Sequence, residues 1–174
     1  MREIADADRI RRLMRALGAE GDIAVRIYFT GGTTAVLFGW RQSTIDVDLR
    51  MDPELDRLLR ALPRLKDELQ INIELASPAD FIPVPPGWET RSPFIAAEGK
   101  ASFFHFDLYA QALAKVERNH AQDREDIQAM IHRGMIDPRR ALEYFRQIEP
   151  ELYRFPAINP QSFRHAVDEL FGGA

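Results

Sequence analysis

The chain has no cysteine among its 174 residues, which removes disulfides, thiol catalysis and thiolate zinc sites together. Its four histidines, His105, His120, His132 and His165, are too scattered to form a sequence-level zinc motif. No apolar run approaches the roughly 20 residues needed to cross a bilayer, and Met1 to Asp6 does not read as a signal peptide, so a cytoplasmic protein with no membrane partner is expected. An excess of positive charge is also missing. A formal net charge of −4 argues against a protein built to coat nucleic acid, although transient contact with an RNA end is compatible with it. The basic cluster Arg9, Arg11, Arg12 and Arg15 reads either as a solvated helix face or as an RNA contact.

What is present is a soluble globular composition, 45% apolar and 29% charged, long enough for one domain with a core or one domain with a helical extension. The rest of the chain is organised around Phe29 to Met51. A strand-like run from Val25 to Thr30 meets Gly31-Gly32, an apolar helix-like segment follows, and a second strand carries Asp46 and Asp48. Because strand residues alternate faces, Ile45, Val47 and Leu49 should point one way and Thr44, Asp46, Asp48 and Arg50 the other. Two carboxylates side by side repel unless a cation lies between them, and their oxygens suit Mg²⁺. Two glycines let a backbone turn approach a bulky anion, and the helix after them offers unpaired amides. Alone, a Gly-Gly pair is a turn and an Asp-x-Asp is solvated strand. In this order on strand, turn, helix and strand, they favour a metal site beside a phosphate cradle, hence nucleotide chemistry.

The remaining elements follow from periodicity and punctuation. Asp6 to Gly18 reads as a helix with Ile10, Leu13, Met14 and Leu17 on its buried face and Gly18 as its stop. Asp52-Pro53 should start a helix that Pro63 interrupts or ends. Gln70 to Leu75 alternates as a strand, making Glu74 either a third site carboxylate or an edge-strand residue in solvent. The proline-rich stretch from Ser77 to Phe94 is expected to be a long surface loop anchored by Phe81, Ile82, Trp88 and Phe94. Ser102 to Phe106 should close the sheet, and helices follow from Asp107 onward. The division is thus an α/β core over 1–106 and a helical part over 107–174 packed on it as one unit.

Gly31-Gly32, a spacer of about thirteen residues and Asp46-Val47-Asp48 together resemble the signature of the DNA polymerase β-type nucleotidyltransferase superfamily. The stretch from Arg41 to Leu49 resembles more narrowly the AbiEii-like and DUF6036-type nucleotidyltransferases, several of which are toxins of toxin–antitoxin systems. Lys115-Val-Glu-Arg118 followed by Gln122-Asp123-Arg124-Glu125-Asp126-Ile127 resembles the later motifs of that group, except that Gln122 stands where a lysine is usual. The resemblance implies an α/β fold with a small twisted mixed sheet of four or five strands. It implies nucleotidyl transfer from an NTP, with Asp46 and Asp48 as ligands of Mg²⁺ or Mn²⁺ and Glu74 as the base or orienting group. Gly31, Gly32, Thr33, Arg41 and Thr44 are the expected nucleotide contacts, with Lys115 snorkelling from its helix toward the triphosphate and Asp123 either orienting Lys115 or capping its own helix. A tRNA acceptor and a separate antitoxin protein are the partners so implied. Transfer to a small molecule or a protein is the rival within the superfamily, and a catalytically silent binding module is the rival outside enzymes.

Overall fold

The computed structural model describes residues 4–173, so residues 1–3 of the stretch read above for a signal peptide lie outside the described residues. The chain divides into two compact units, residues 1–77 with 92–106, and residues 78–91 with 107–174. The proline-rich stretch therefore groups with the helices that follow the sheet.

The first unit is an α/β structure built on a five-stranded mixed sheet of order β3-β2-β1-β5-β4. Its strands are β1 (Val25–Thr30), β2 (Asp46–Asp52), β3 (Asn72–Leu75), β4 (Phe94–Glu98) and β5 (Ala101–His105). β1 runs antiparallel to β2 and parallel to β5, β2 runs parallel to β3, and β4 and β5 form an antiparallel pair. Three helices belong to this unit: α1 (Ala7–Glu20), α2 (Gly32–Phe38) and α3 (Asp56–Leu69). On one face of the sheet, Val25, Ile27 and Phe29 meet Val47, Leu49, Met51, Ile73 and Phe103 in one core with Ile10, Leu13, Leu17, Leu58 and Leu65, while Tyr28 and Phe104 are buried on the other face. At about 25 cal/mol per Å² of apolar surface, such burial is the main term that holds helices to sheet.

Three local expectations are corrected. Gly18 does not stop α1, which runs on to Glu20. It is a glycine of close approach, since a Cβ there would collide with the backbone carbonyl of Glu98, and one at Gly99 would collide with the carbonyl of Gly18. Pro63 lies inside α3 without ending it. Proline costs a helix interior about 3 kcal/mol, and here the ring faces solvent while the neighbouring Leu58, Ala61, Leu62 and Leu65 are buried, so packing outweighs the lost hydrogen bond. Asp52 caps no helix, because β2 extends through it and α3 starts only at Asp56. Phe94–Glu98 is a strand that the sequence pattern did not show, and it makes β5 an interior strand between β1 and β4.

The second unit contains α4 (Trp88–Arg91), α5 (Leu108–Arg118), α6 (Ala121–His132), α7 (Pro138–Ile148) and α8 (Pro160–Phe171). Ile82 and Trp88 are buried as expected of anchors, whereas Phe81 is 56% exposed. Asp107 ties this stretch to the helices: it accepts from the Tyr109 amide at the start of α5, and its other oxygen takes an ion pair from Arg91 at 2.9 Å. Asp137 and Asn159 cap α7 and α8 through their side chains, each followed by a proline in the first turn. Phe145 and Phe163 meet edge to face at 4.9 Å in the core between those helices. Among the described residues, no helix is long and apolar enough to cross a membrane.

Candidate active site

The two glycines after β1 are needed for different reasons. Gly31 adopts φ 66° and ψ −134°, a conformation closed to residues with a side chain, and a Cβ there would lie 3.2 Å from Asp48 Oδ2. Gly32 has ordinary dihedral freedom but no room, since a Cβ would collide with Thr44 Oγ1 and lie 3.2 Å from Arg41 Nη1. The turn is thus enclosed by Asp48 on one side and by the Arg41 to Thr44 segment on the other. Thr44 fixes that segment: it exchanges backbone hydrogen bonds with Ala5 at 2.8 and 2.9 Å, and its hydroxyl donates to the Asp46 carbonyl at 3.0 Å.

On β2, Val47, Leu49 and Met51 are buried while Asp46, Asp48 and Arg50 are partly exposed, as alternation requires. In register, Asp48 lies between Thr30 of β1 and Glu74 of β3, and Asp46 lies opposite Asn72. Glu74 therefore shares the face of the aspartate pair. Two of the three carboxylates are joined by a residue that carried no expectation: Asn72 Nδ2 donates to Asp46 Oδ1 at 2.7 Å and to Glu74 Oε1 at 3.2 Å. Its only sequence signal was the period-two spacing that puts it on the same face as Glu74. Among the described residues, no group of three or more His, Cys, Asp and Glu is arranged to hold a metal ion.

Behind the turn, α2 carries Thr33 and Thr34 into the interior, both fully buried. Thr33 Oγ1 is buried and has no hydrogen-bond partner within the fold. Thr34 Oγ1 pairs at 3.0 Å with His105 Nδ1 at the end of β5, and the His105 ring stacks on Phe38 at 4.4 Å. Burial holds the His105 pKa down to about 4 from 6.5, so the ring is neutral at neutral pH. The unfolded chain would bind a proton below pH 6.5 that the folded chain refuses until about pH 4, so stability falls as pH drops through that window. We expect a loss of up to about 3 kcal/mol from this group between pH 6.5 and 4. Denaturant titrations of wild type and His105→Gln across that range check it, since the substitution should flatten the slope.

In the helical unit, Lys115 does not snorkel. Its side chain is only 6% exposed, and its amine lies 2.8 Å from Asp126 Oδ2 and 3.6 Å from Asp123 Oδ1. Asp123, 1% exposed, also accepts from Arg118 Nε at 2.8 Å and Nη2 at 2.5 Å and from the His120 amide at 3.2 Å. Asp123 thus caps its own helix through the His120 amide and at the same time lies within ion-pair distance of Lys115. Burial pushes its carboxyl upward, but the Arg118 hydrogen bonds and the charges of Lys115 and Arg118 outweigh this and leave the pKa below its usual value. Asp126 completes the cluster and is fully buried. Its signal was its place three residues after Asp123, on the same helical face.

A mixed sheet that bears a glycine turn after one strand and an Asp-x-Asp pair on the strand beside it has the architecture implied by the nucleotidyltransferase resemblance. Residues 8–149 match the model of a family described as a nucleotidyltransferase of unknown function, DUF6036. The chain belongs to that family. No curated protein and no solved structure matches it.

Proposed function

We propose that the protein is a metal-dependent enzyme that transfers a nucleotidyl group from an NTP to an acceptor. The observation that carries this reading is that Asp46 and Asp48 share one face of β2, with Asp48 Oδ2 beside the position that a side chain on Gly31 would fill. The donor set fits Mg²⁺ or Mn²⁺: hard carboxylate oxygens in a pair, with space at the glycine. A two-carboxylate set is sufficient, because Mg²⁺ is commonly bound through one or two carboxylates together with substrate phosphates and water. When bound, the ion supplies neutralisation of triphosphate and pyrophosphate charge.

The chain's own residues supply the rest. The backbone of Gly31, Gly32 and Thr33 receives the phosphates, and Arg41, whose guanidinium lies next to Gly32, meets their charge. Glu74, opposite Asp48 in register, takes the proton of the acceptor hydroxyl. The acceptor oxygen bonds to the α-phosphorus as the bond to the β-phosphate breaks, and pyrophosphate leaves. The likeness of the Arg41–Leu49 and Lys115–Ile127 stretches to AbiEii-like enzymes supports a tRNA acceptor and a cytoplasmic toxin restrained by a separate antitoxin.

Incubation with each labelled NTP, Mg²⁺ and either total RNA or total protein tests the reading. Label in RNA is the expected result, label in protein or in a small molecule redirects the acceptor, and no label with any NTP favours a silent binding module. A binding test runs beside it. Bare triphosphate faces two carboxylates, so NTP should stabilise the fold only with Mg²⁺ or Mn²⁺, by about 2.7 kcal/mol at a hundred times its dissociation constant. Equal thermal shifts with and without chelator would count against a metal-bridged site.

A further inference from the structure

Asn72 is a neutral side chain on the carboxylate face that touches two of its acids. It belongs to β3, yet its amide nitrogen spans the gap between strands, 2.7 Å from Asp46 Oδ1 on β2 and 3.2 Å from Glu74 Oε1 two residues along its own strand. The amide has two hydrogens, so one nitrogen serves both acceptors. The parallel pairing of β2 and β3 puts Asn72 opposite Asp46 and, two residues on, Glu74 opposite Asp48, so this contact is set by the register of the sheet and by no flexible loop.

We infer that Asn72 is a positioning residue for nucleotidyl transfer: it fixes the Asp46 carboxylate through Oδ1, leaving Oδ2 directed to the cation, and it keeps Glu74 beside the aspartates as a proton acceptor and not as a further metal ligand. This rests on the nucleotidyltransferase reading above. The physical reason is charge. Asp46 and Glu74 repel, and the donor that Asn72 puts between them favours the arrangement in which both stay beside the site. A neutral amide relieves the repulsion without competing with the ion for the carboxylates as a lysine would. Outer residues that orient a metal ligand in this way commonly change metal affinity by 10–100-fold when removed.

The test is Mn²⁺ binding to the intact protein, followed by the loss of the free-ion paramagnetic resonance signal, for wild type, Asn72→Ala and Asn72→Val. Valine favours a strand and has no donor, so it guards against a folding defect at this position. The expected result is that both variants keep the wild-type melting temperature in metal-free buffer but bind Mn²⁺ 10–100-fold more weakly. Their apparent KM for Mg²⁺ should rise by a similar factor and kcat at saturating Mg²⁺ should fall as Glu74 loses its hold, a pair of changes that a purely structural role would not give at an unchanged melting temperature. Binding within twofold of wild type in both variants overturns the assignment of Asn72 and leaves the enzyme reading intact. Failure of wild type itself to bind Mn²⁺, with or without NTP, overturns both.

Discussion

Asp46→Asn and Asp48→Asn should each abolish nucleotidyl transfer while leaving a protein that melts no lower than wild type in metal-free buffer. Removal of a direct ligand should exceed the 10–100-fold loss typical of an outer residue, so activity in a labelled-NTP assay should fall by more than about 100-fold. The stability half of the prediction follows from the sheet. Both aspartates are only partly buried and stand on the face opposite the core, so asparagine removes no packing. At position 46, asparagine still offers the Oδ1 acceptor that Asn72 uses, and at either position one charge of a repelling pair is removed. The two measurements together separate the site from the scaffold. Wild-type transfer by both variants would remove Asp46 and Asp48 from the chemistry, whereas loss of transfer with a lower melting temperature would make them structural.

The site was legible in the sequence to the extent that it is local. Gly31-Gly32 and Asp46-x-Asp48 lie within one strand, turn, helix and strand, and period-two alternation puts the two aspartates on one face, whereas the place of Glu74 beside them depends on the pairing of β2 with β3. What the sequence concealed depends on partners distant along the chain. Gly18 reads as a helix stop until Glu98 is brought against it, and Gly32 reads as a flexible turn until Thr44 fills its side. Pro63 reads as a helix breaker because propensity is local, while the burial of Leu58, Ala61, Leu62 and Leu65 that overrides it is tertiary. The strand Phe94–Glu98 was missed because Ile-Ala-Ala is a weak strand pattern, and its pairing with β5 across the Gly99-Lys100 turn supplies what propensity does not. The burial of Lys115 is hidden from the sequence for a related reason. A lysine beside an apolar stripe snorkels unless buried acids meet it, and the two that do lie on the next helix.

That pairing makes Lys115→Met the substitution with the largest expected effect on stability. It would leave Asp126 fully buried without its 2.8 Å partner and deprive Asp123 of one of its two cations. Breaking a buried ion pair from one side costs roughly 3–5 kcal/mol, because the remaining charge stays desolvated. For a chain of this length, that corresponds to a melting temperature lower by on the order of 10 °C. Asp123→Asn should cost less, since Arg118 is 58% exposed and can return to water. Asp123 also adds a pH signature: its folded pKa is depressed, so its contribution is present above the unfolded value of 3.8 and lost as pH falls below it. The decisive variant is the double substitution Lys115→Met with Asp126→Leu, which replaces a buried pair by apolar groups and should restore most of the stability that the single change removes. Transfer assays on that variant then separate two roles for Lys115. If the amine serves only to hold α5 to α6, turnover and NTP affinity recover with the melting temperature. If Lys115 acts on the triphosphate, as the resemblance to AbiEii-like enzymes implies, the double variant folds like wild type but stays impaired in NTP affinity or turnover.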